Sequence, residues 1–360
     1  MKIAIAATTA LLLLLPAGAA VGAPKTDDPT VLADNLIGPL HLDIGPGRTA
    51  TVSQEFAGLL TSVDRKGTDV IYANPEWDVA GVDHRGTTRY VLISQGAGQG
   101  DPTALAGALL AIDRKGHVRT VTDQLAELET STNPDAVNSY GLSADDAAAN
   151  PACVAALAGV GAPASYTGAL DSHPYAIAVK GHTAYIADAG ANTIVKVDLR
   201  NGAASTLAVL PPQPALITDE GAAALGVADC AGLTYAFEPV PTDVVIGPDG
   251  AVYVSTLPGG PESPALGARG AVYRVDTSTG AESMVLGGIL TPTGIAFDGD
   301  GALYIASLFG EGVYKVPVGS TTPVLVMPAP LAADVEIHGS TLYATINALG
   351  AGGQLVSMHL

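Results

Sequence analysis

The 360-residue chain carries 16 Lys and Arg against 35 Asp and Glu, a net charge of −19, which argues against nucleic acid or any partner held by neutralising phosphates. Only 14% of residues are charged and 48% are apolar, which excludes an intrinsically disordered chain. The 43 Gly and 25 Pro run along the whole length and suit short strands joined by many turns, not long helices.

Residues 1–23 read as a secretory signal. Lys2 supplies the positive start, Ile3 to Leu15 the apolar run, Pro16 a helix break, and Val21-Gly22-Ala23 the small residues before a cleavage site. A retained anchor is the poorer reading, because a membrane span wants about 20 apolar residues. The mature chain is therefore expected to be secreted, cleaved near Ala23, without membrane insertion, and monomeric. Its two cysteines, Cys153 and Cys230, are expected to pair in an oxidising compartment.

Three segments align closely: AIAVKGHTAYIADAGANTIVKVDLRNG from Ala176, DVVIGPDGAVYVSTLPGG with GAVYRVDTSTG from Asp243, and GIAFDGDGALYIASLFGEGVYKVPVG from Gly294. Each reads as strand, Gly/Asp turn, strand near a Tyr, loop, strand, and then a weaker fourth strand. Fainter copies begin at His41, Gly81 and Asp334. The second-strand anchors are Thr51, Tyr90, Tyr185, Tyr253, Tyr304 and Tyr343, with 39 residues from Thr51 to Tyr90 and again from Tyr304 to Tyr343. Four strands per copy with no helix between copies predict an all-β, six-bladed β-propeller over residues 24–360. The last copy supplies only three strands, and Thr30–Leu36 (TVLADNL) resembles the fourth, so the N-terminal strand is expected to close the last blade. A solenoid is the competing geometry, but it would need polar capping ends.

The excess length is confined to two insertions, about 124–172 and 212–239, and to the loops Gln95 to Gly107 and Leu257 to Gly270. In a propeller all four emerge on one face, where binding usually resides. Asn150-Pro151 and Thr218-Asp219-Glu220 signal short helices. Each insertion carries one cysteine, so a disulfide would tie both into one cap. The cap would either frame a binding site or plug the channel. Asp64, Asp113, Asp198 and Asp276 recur before a Gly at third-strand ends and are read as hairpin-turn residues, not calcium ligands.

Period-two alternation on the first strands turns His41, Asp43, Asp83, Asp243, Asp334 and Glu336 toward the central channel. Like charges so close raise one another's pKa. A divalent cation, calcium or magnesium, held by Asp43, Asp83, Asp243, Asp334 and Glu336 would resolve the repulsion. Carboxylates wetted at the channel mouths would need none. A second constellation lies at the cap: Asp171, His173 and Tyr175 entering the third blade, Tyr235 and Glu238 entering the fourth. These five are the candidate ligand-binding residues, and His173, Asp171 and Glu238 the candidate acid–base groups. The bland alternative is a His packed under the cap. Asn133, Asp135, Asn138 and Tyr140 form a third polar cluster that Asx turns also explain. No GxSxG, HExxH, Walker or dinucleotide motif is present.

The stretches DSHPYAIAV (from Asp171), LAVLPPQP (from Leu207), LTYAFEPVPTDV (from Leu233) and STLPGGPESPALGARGAVYRVD (from Ser255) resemble the ScyD/ScyE family of secreted bacterial propellers. LADNLIGPL near Leu32 and NPDAVNSYG at Asn133 are similar to that family too, so the resemblance spans the mature chain. It implies a six-bladed, exported propeller, and no particular activity. The blades more distantly resemble NHL and gluconolactonase-type propellers. The latter hold a divalent metal over the channel and open lactones, which implies such a part for Glu238, Asp243 and Asp334 here. Three functions stay open: a binding protein for a small molecule or an envelope or extracellular protein; a metal-dependent hydrolase or lactonase; and an envelope interaction scaffold without a small-molecule site. No cofactor beyond such a cation is implied.

Overall fold

The computed structural model describes residues 28–260 and 264–360. The expected signal segment 1–23 and part of the Leu257 to Gly270 loop lie outside them.

The third repeat shows why these residues make sheet. Pro174–Lys180, Thr183–Asp188, Thr193–Asp198 and Ala204–Val209 pair antiparallel in chain order. Pro174 opens the first strand, a position where no ladder N–H is missed. Gly181 turns the chain with φ 62°, and Asn192 turns it again with φ 56°. Alternation then buries both faces. Ile177, Ile186 and Val195 pack with Leu92 and Leu109 of the preceding sheet, while Ala176, Tyr185 and Ile194 pack with Val244 and Val254 of the following one. A strand covered on both sides reads as nearly continuous apolar sequence.

Six sheets of this kind have first strands Pro39–Gly45, Asp78–Arg85, Pro174–Lys180, Pro241–Ile246, Pro292–Phe297 and Asp334–His338. Each first strand packs on the next, and the last packs on the first, so the six surround one axis. Closure occurs where the sequence places it: Thr30–Leu36 pairs antiparallel with Gly353–His359, giving the sixth sheet its fourth strand. The turn aspartates behave as expected; Asp64, Asp113 and Asp198 accept the backbone N–H two residues on, and Asp276 that of Ser278.

Among the described residues there are seven four-stranded sheets, one more than the repeats predict. The seventh comes wholly from the two insertions: Ser165–Thr167, Ser139–Gly141, Thr234–Phe237 and Gln213–Leu216, in that order. The insertions also carry four short helices: α1 (Leu125–Thr132), α2 (Ala144–Ala149), α3 (Pro151–Gly159) and α4 (Asp219–Leu225). At α4 the Thr218 hydroxyl accepts from Gly221 N, and Gly226 closes the helix at φ 73°. At α3 Pro151 sits at the first position, but Asn150 does not cap; its side-chain amide donates to the Asp146 carbonyl instead. A Cys153–Cys230 disulfide fastens α3 to the turn after α4, inside an apolar cluster with Leu142, Leu157, Ile217 and Phe237. No helix among the described residues is long and apolar enough to cross a membrane.

Candidate functional site

Two cavities hold most of the charged residues that the sequence singles out. The first is the central channel, about 300 Å³, lined by His41, Asp43, Asp83, Asp243, Asp334 and Glu336 together. Each first strand is the inner edge of its sheet, so every second N–H has no ladder partner and faces the axis. Three aspartates answer that need in one pattern. Asp83 accepts from His84 N and from Val179 N on the next sheet. Asp243 accepts from Val244 N and, at 2.7 Å, from Ile295 N. Asp334 accepts from Val335 N and, at 2.7 Å, from Leu42 N. They clasp the second sheet to the third, the fourth to the fifth, and the sixth to the first. Asp43 lies against His84 Nδ1.

Burial raises the carboxyls of Asp83, Asp243, Asp334 and Glu336 above the ordinary range. Asp83 is pushed up to about 6 and Asp243 to about 7. Asp334 and Glu336 are raised further, by burial first and then by the neighbouring carboxylates. Desolvation also drives the His41 imidazole down to about 3, so it is neutral at physiological pH. A cation bound by all five carboxylates fits this arrangement poorly. Each oxygen of Asp83, Asp243 and Asp334 already accepts one backbone N–H, which weakens it as a ligand, and no three His, Cys, Asp or Glu side chains among the described residues stand in a metal-holding group.

The second cavity is a cleft of about 400 Å³ on the insertion side, lined by Asp78, Asp171, His173, Asn192 and Glu238 among others. It brings together the three candidate acid–base residues from two segments far apart in the chain. Asp171 is oriented by Gly98 N, which approaches both its oxygens at 3.2 and 3.0 Å. The His173 backbone N–H donates to Asp188 at 2.6 Å, and Asp188 also takes the Ser172 hydroxyl. Glu238 accepts from Asn192 Nδ2 at 3.4 Å. His173 Nε2 lies 3.8 Å from both Glu55 Oε1 and Asp78 Oδ2 and has no hydrogen-bond partner. Glu55 sits behind it, where burial and then Asp78 push its carboxyl up to about 8.

Tyr175 lines neither cavity; its ring packs edge-on against His41 of the channel at 4.4 Å and His173 of the cleft at 5.3 Å. Tyr235 is elsewhere. Its hydroxyl donates to the Pro163 carbonyl and its ring stacks at 4.8 Å on Phe237, beside a separate apolar cavity within the cap. The Asn133–Tyr140 cluster supports the insertion: buried Asp135 accepts from Tyr140 and from Asn192, and Asn138 donates to the Leu210 carbonyl. Glu55, Asp78 and Asn192 carried no sequence signal of their own. Glu55 lies in a second-to-third-strand loop on the same side as the insertions, and that position was the available clue.

No family model matches the chain, and no curated protein matches it. Solved structures do. The major allergen Mala s 1 of Malassezia sympodialis is 11% identical, with 92% of this chain and 94% of that one covered at a TM-score of 0.56. A crystal structure of a glucose dehydrogenase is 11% identical, covering 92% and 99%, with a TM-score of 0.55. The PQQ-bound aldose sugar dehydrogenase of Streptomyces coelicolor is 13% identical, covering 93% and 97%, with a TM-score of 0.53. At such identities the likeness is one of fold alone: the chain is built as a β-propeller.

Proposed function

We propose that this chain is an exported, ScyD/ScyE-like propeller of six blades, with the seventh sheet as its cap, that binds a small ligand in the cleft between cap and ring. The observation that carries this reading is the convergence of Asp171, His173 and Glu238 around one polar cavity of about 400 Å³. A scaffold without a small-molecule site would not need such a cavity. The disulfide supports export into an oxidising compartment.

The alternative, a hydrolase or lactonase working through a divalent cation over the channel, draws on the gathering of Asp43, Asp83, Asp243, Asp334 and Glu336. It is the weaker reading, because three of the five are committed to backbone clasps. PQQ, the group named for the Streptomyces protein, is itself a polycarboxylate. A cleft lined by Asp78, Asp171 and Glu238 and, among the described residues, by no Lys or Arg opposes it by charge.

The test is a thermal-shift screen of small molecules on the mature oxidised protein, with His173→Ala and Glu238→Ala in parallel. Ligands that raise Tm of the parent and not of the variants support the reading. Hits that persist unchanged in both variants place the site elsewhere and sink it.

A further inference from the structure

The net charge of −19 conceals an uneven distribution. On the insertion side Glu127, Asp145, Asp219, Glu220 and Asp229 are exposed. Among the described residues, every Lys and Arg except Arg269 lies instead in or close to the hairpin turns on the opposite side of the ring. From this segregation we infer a second interaction surface: the turn face of the first three sheets binds a linear polysaccharide that carries carboxylate or sulfate groups.

The local sequence sets the cations there. In Asp64-Arg65-Lys66-Gly67 and Asp113-Arg114-Lys115-Gly116 the aspartate accepts the N–H two residues on, which leaves the middle side chains in solvent. Arg200 stands in the matching turn of the third sheet. Nearer the axis, by about 10 Å or two strand spacings, Arg48, Arg85 and Lys180 stand at the turns between first and second strands. All eight are exposed. Among the described residues Arg48, Arg65, Lys66, Arg114 and Lys115 make no ion pair. Only Asp64, Asp69, Asp113 and Asp198 oppose the patch at these turns and strand ends.

The patch is continuous. Arg89 Nε donates to Thr51 Oγ1 at 3.0 Å, joining the second sheet to the first, and the Arg85 guanidinium meets His182 Nε2 of the third at 3.3 Å. It also ends sharply. In the fourth and fifth sheets Arg274 is paired with Asp249 at 2.6 Å and Lys315 with Asp298 at 3.0 Å, while Asp276, Glu282 and Asp300 leave that half acidic. A flat anionic bilayer would meet both halves, whereas a chain can follow the basic half alone. No Phe, Tyr or Trp stands in these turns to stack bases, as a single-stranded nucleic acid would want. Exposed Thr68, Thr87 and Asn201 stand among the cations and suit sugar hydroxyls, and the arginines suit carboxylate or sulfate. The acidic face does not cancel the attraction, because strands about 20 Å long hold it roughly two Debye lengths away at about 0.1 M salt.

The probes are polygalacturonate and heparin, with dextran as the uncharged chain, galacturonic acid as the single unit, phosphatidylglycerol–phosphatidylcholine vesicles and oligothymidylate. Each is titrated into the mature oxidised protein at about 0.1 M salt. One or both acidic polysaccharides are expected to bind at least about tenfold more tightly than galacturonic acid, and dextran not at all; raising salt to about 0.5 M should weaken binding about tenfold or more. Arg114→Ser with Lys115→Ser, and separately Arg65→Ser with Lys66→Ser, should each weaken it about fivefold or more with Tm retained. Thr321→Asp with Thr322→Asp shifts the net charge equally in the corresponding turn of the fifth sheet and should change binding less than about twofold. Failure of both polysaccharides to bind, binding that neither basic pair alters, or equal weakening by the threonine pair overturns the surface. Tighter binding of the vesicles or of oligothymidylate, lost in the basic-pair variants, overturns the polysaccharide as its partner.

Discussion

The clasp between the fourth and fifth sheets makes a quantitative prediction about pH. Asp243 is fully buried, accepts from Val244 N and Ile295 N, and is raised from 3.8 to about 7, chiefly by desolvation. The unfolded chain loses this proton near pH 4, whereas the native chain keeps it to about 7. Between those values the native state binds more protons, so this contribution to stability is fully present below pH 4 and is lost as pH rises through 7. One proton is worth about 1.4 kcal/mol per pH unit, and the span from pH 5 to pH 8 removes on the order of 2–3 kcal/mol. Buried His41 and His84, lowered to about 3 and about 4, act oppositely: their contribution is present above pH 6.5 and lost as pH falls. Comparing the parent with Asp243→Asn cancels them. At pH 5 the variant should be less stable by about 1–3 kcal/mol, because an amide nitrogen now faces one of the two backbone donors. By pH 8 that deficit should vanish or reverse. Urea unfolding followed by fluorescence of Trp77, the single tryptophan, measures both values. A deficit that stays constant, or widens with pH, would refute the raised carboxyl and the reasoning built on it.

Four further outcomes follow from the structure. Gly294→Ala would set a Cβ 2.3 Å from Asp334 Oδ1 and 2.6 Å from the Asp334 Cα, so it should cost about 3 kcal/mol or more. Gly299→Ala meets nothing within 4 Å and should unfold within about 1 kcal/mol of the parent in the same melt. Replacing Cys153 and Cys230 by Ser opens a loop spanning 77 residues, worth about 4–5 kcal/mol in chain entropy. Limited proteolysis should then cut first within 124–172 or 212–239, and an unchanged digestion pattern would show that the cap does not depend on the bond. Elemental analysis of the mature protein should find calcium and magnesium well below one equivalent. Near-stoichiometric metal, released by Asp243→Asn or Asp334→Asn, would restore the hydrolase reading.

The propeller was legible because its information is local and repeated. The Tyr at the second strand, the Gly/Asp turn before it and the 39-residue spacing are read residue by residue, and Thr30–Leu36 could be paired with the end of the chain because the last copy lacked a strand. The insertions repeat nothing. The three-residue strand Ser139–Gly141 has no periodicity long enough to register; it pairs with Ser165–Thr167 of its own insertion and meets the other insertion where Gly141 pairs with Ala236. The cap sheet is therefore a product of tertiary contact between stretches too short to show a period. Tyr235 illustrates the same limit: two residues from Phe237 and three from Glu238, it turns into the cap core while Glu238 turns toward the cleft. Only the partner surfaces decide which.

The channel carboxylates carry the more general lesson. Acidic residues recurring at one register of a repeat suggest shared ligation, and that inference treats the backbone as already satisfied. In a ring of sheets it is not. Each innermost strand is an edge, and its outward N–H groups have no strand to pair with. Where neighbouring first strands meet the packing is close, since a single Cβ at Gly294 would collide with Asp334. An aspartate on one strand reaches the N–H of the next with little else to accommodate, and at Asp83, Asp243 and Asp334 it also accepts the N–H of its own successor. The same side chains that look like an assembled metal site thus act as acceptors that lock alternate sheet boundaries. Their raised pKa values are the cost of placing those acceptors where burial strips away most of their water. In the cleft the acidic side chains lock no such boundary: Glu238 accepts from Asn192 at 3.4 Å, and Asp78 stands 3.8 Å from His173 Nε2.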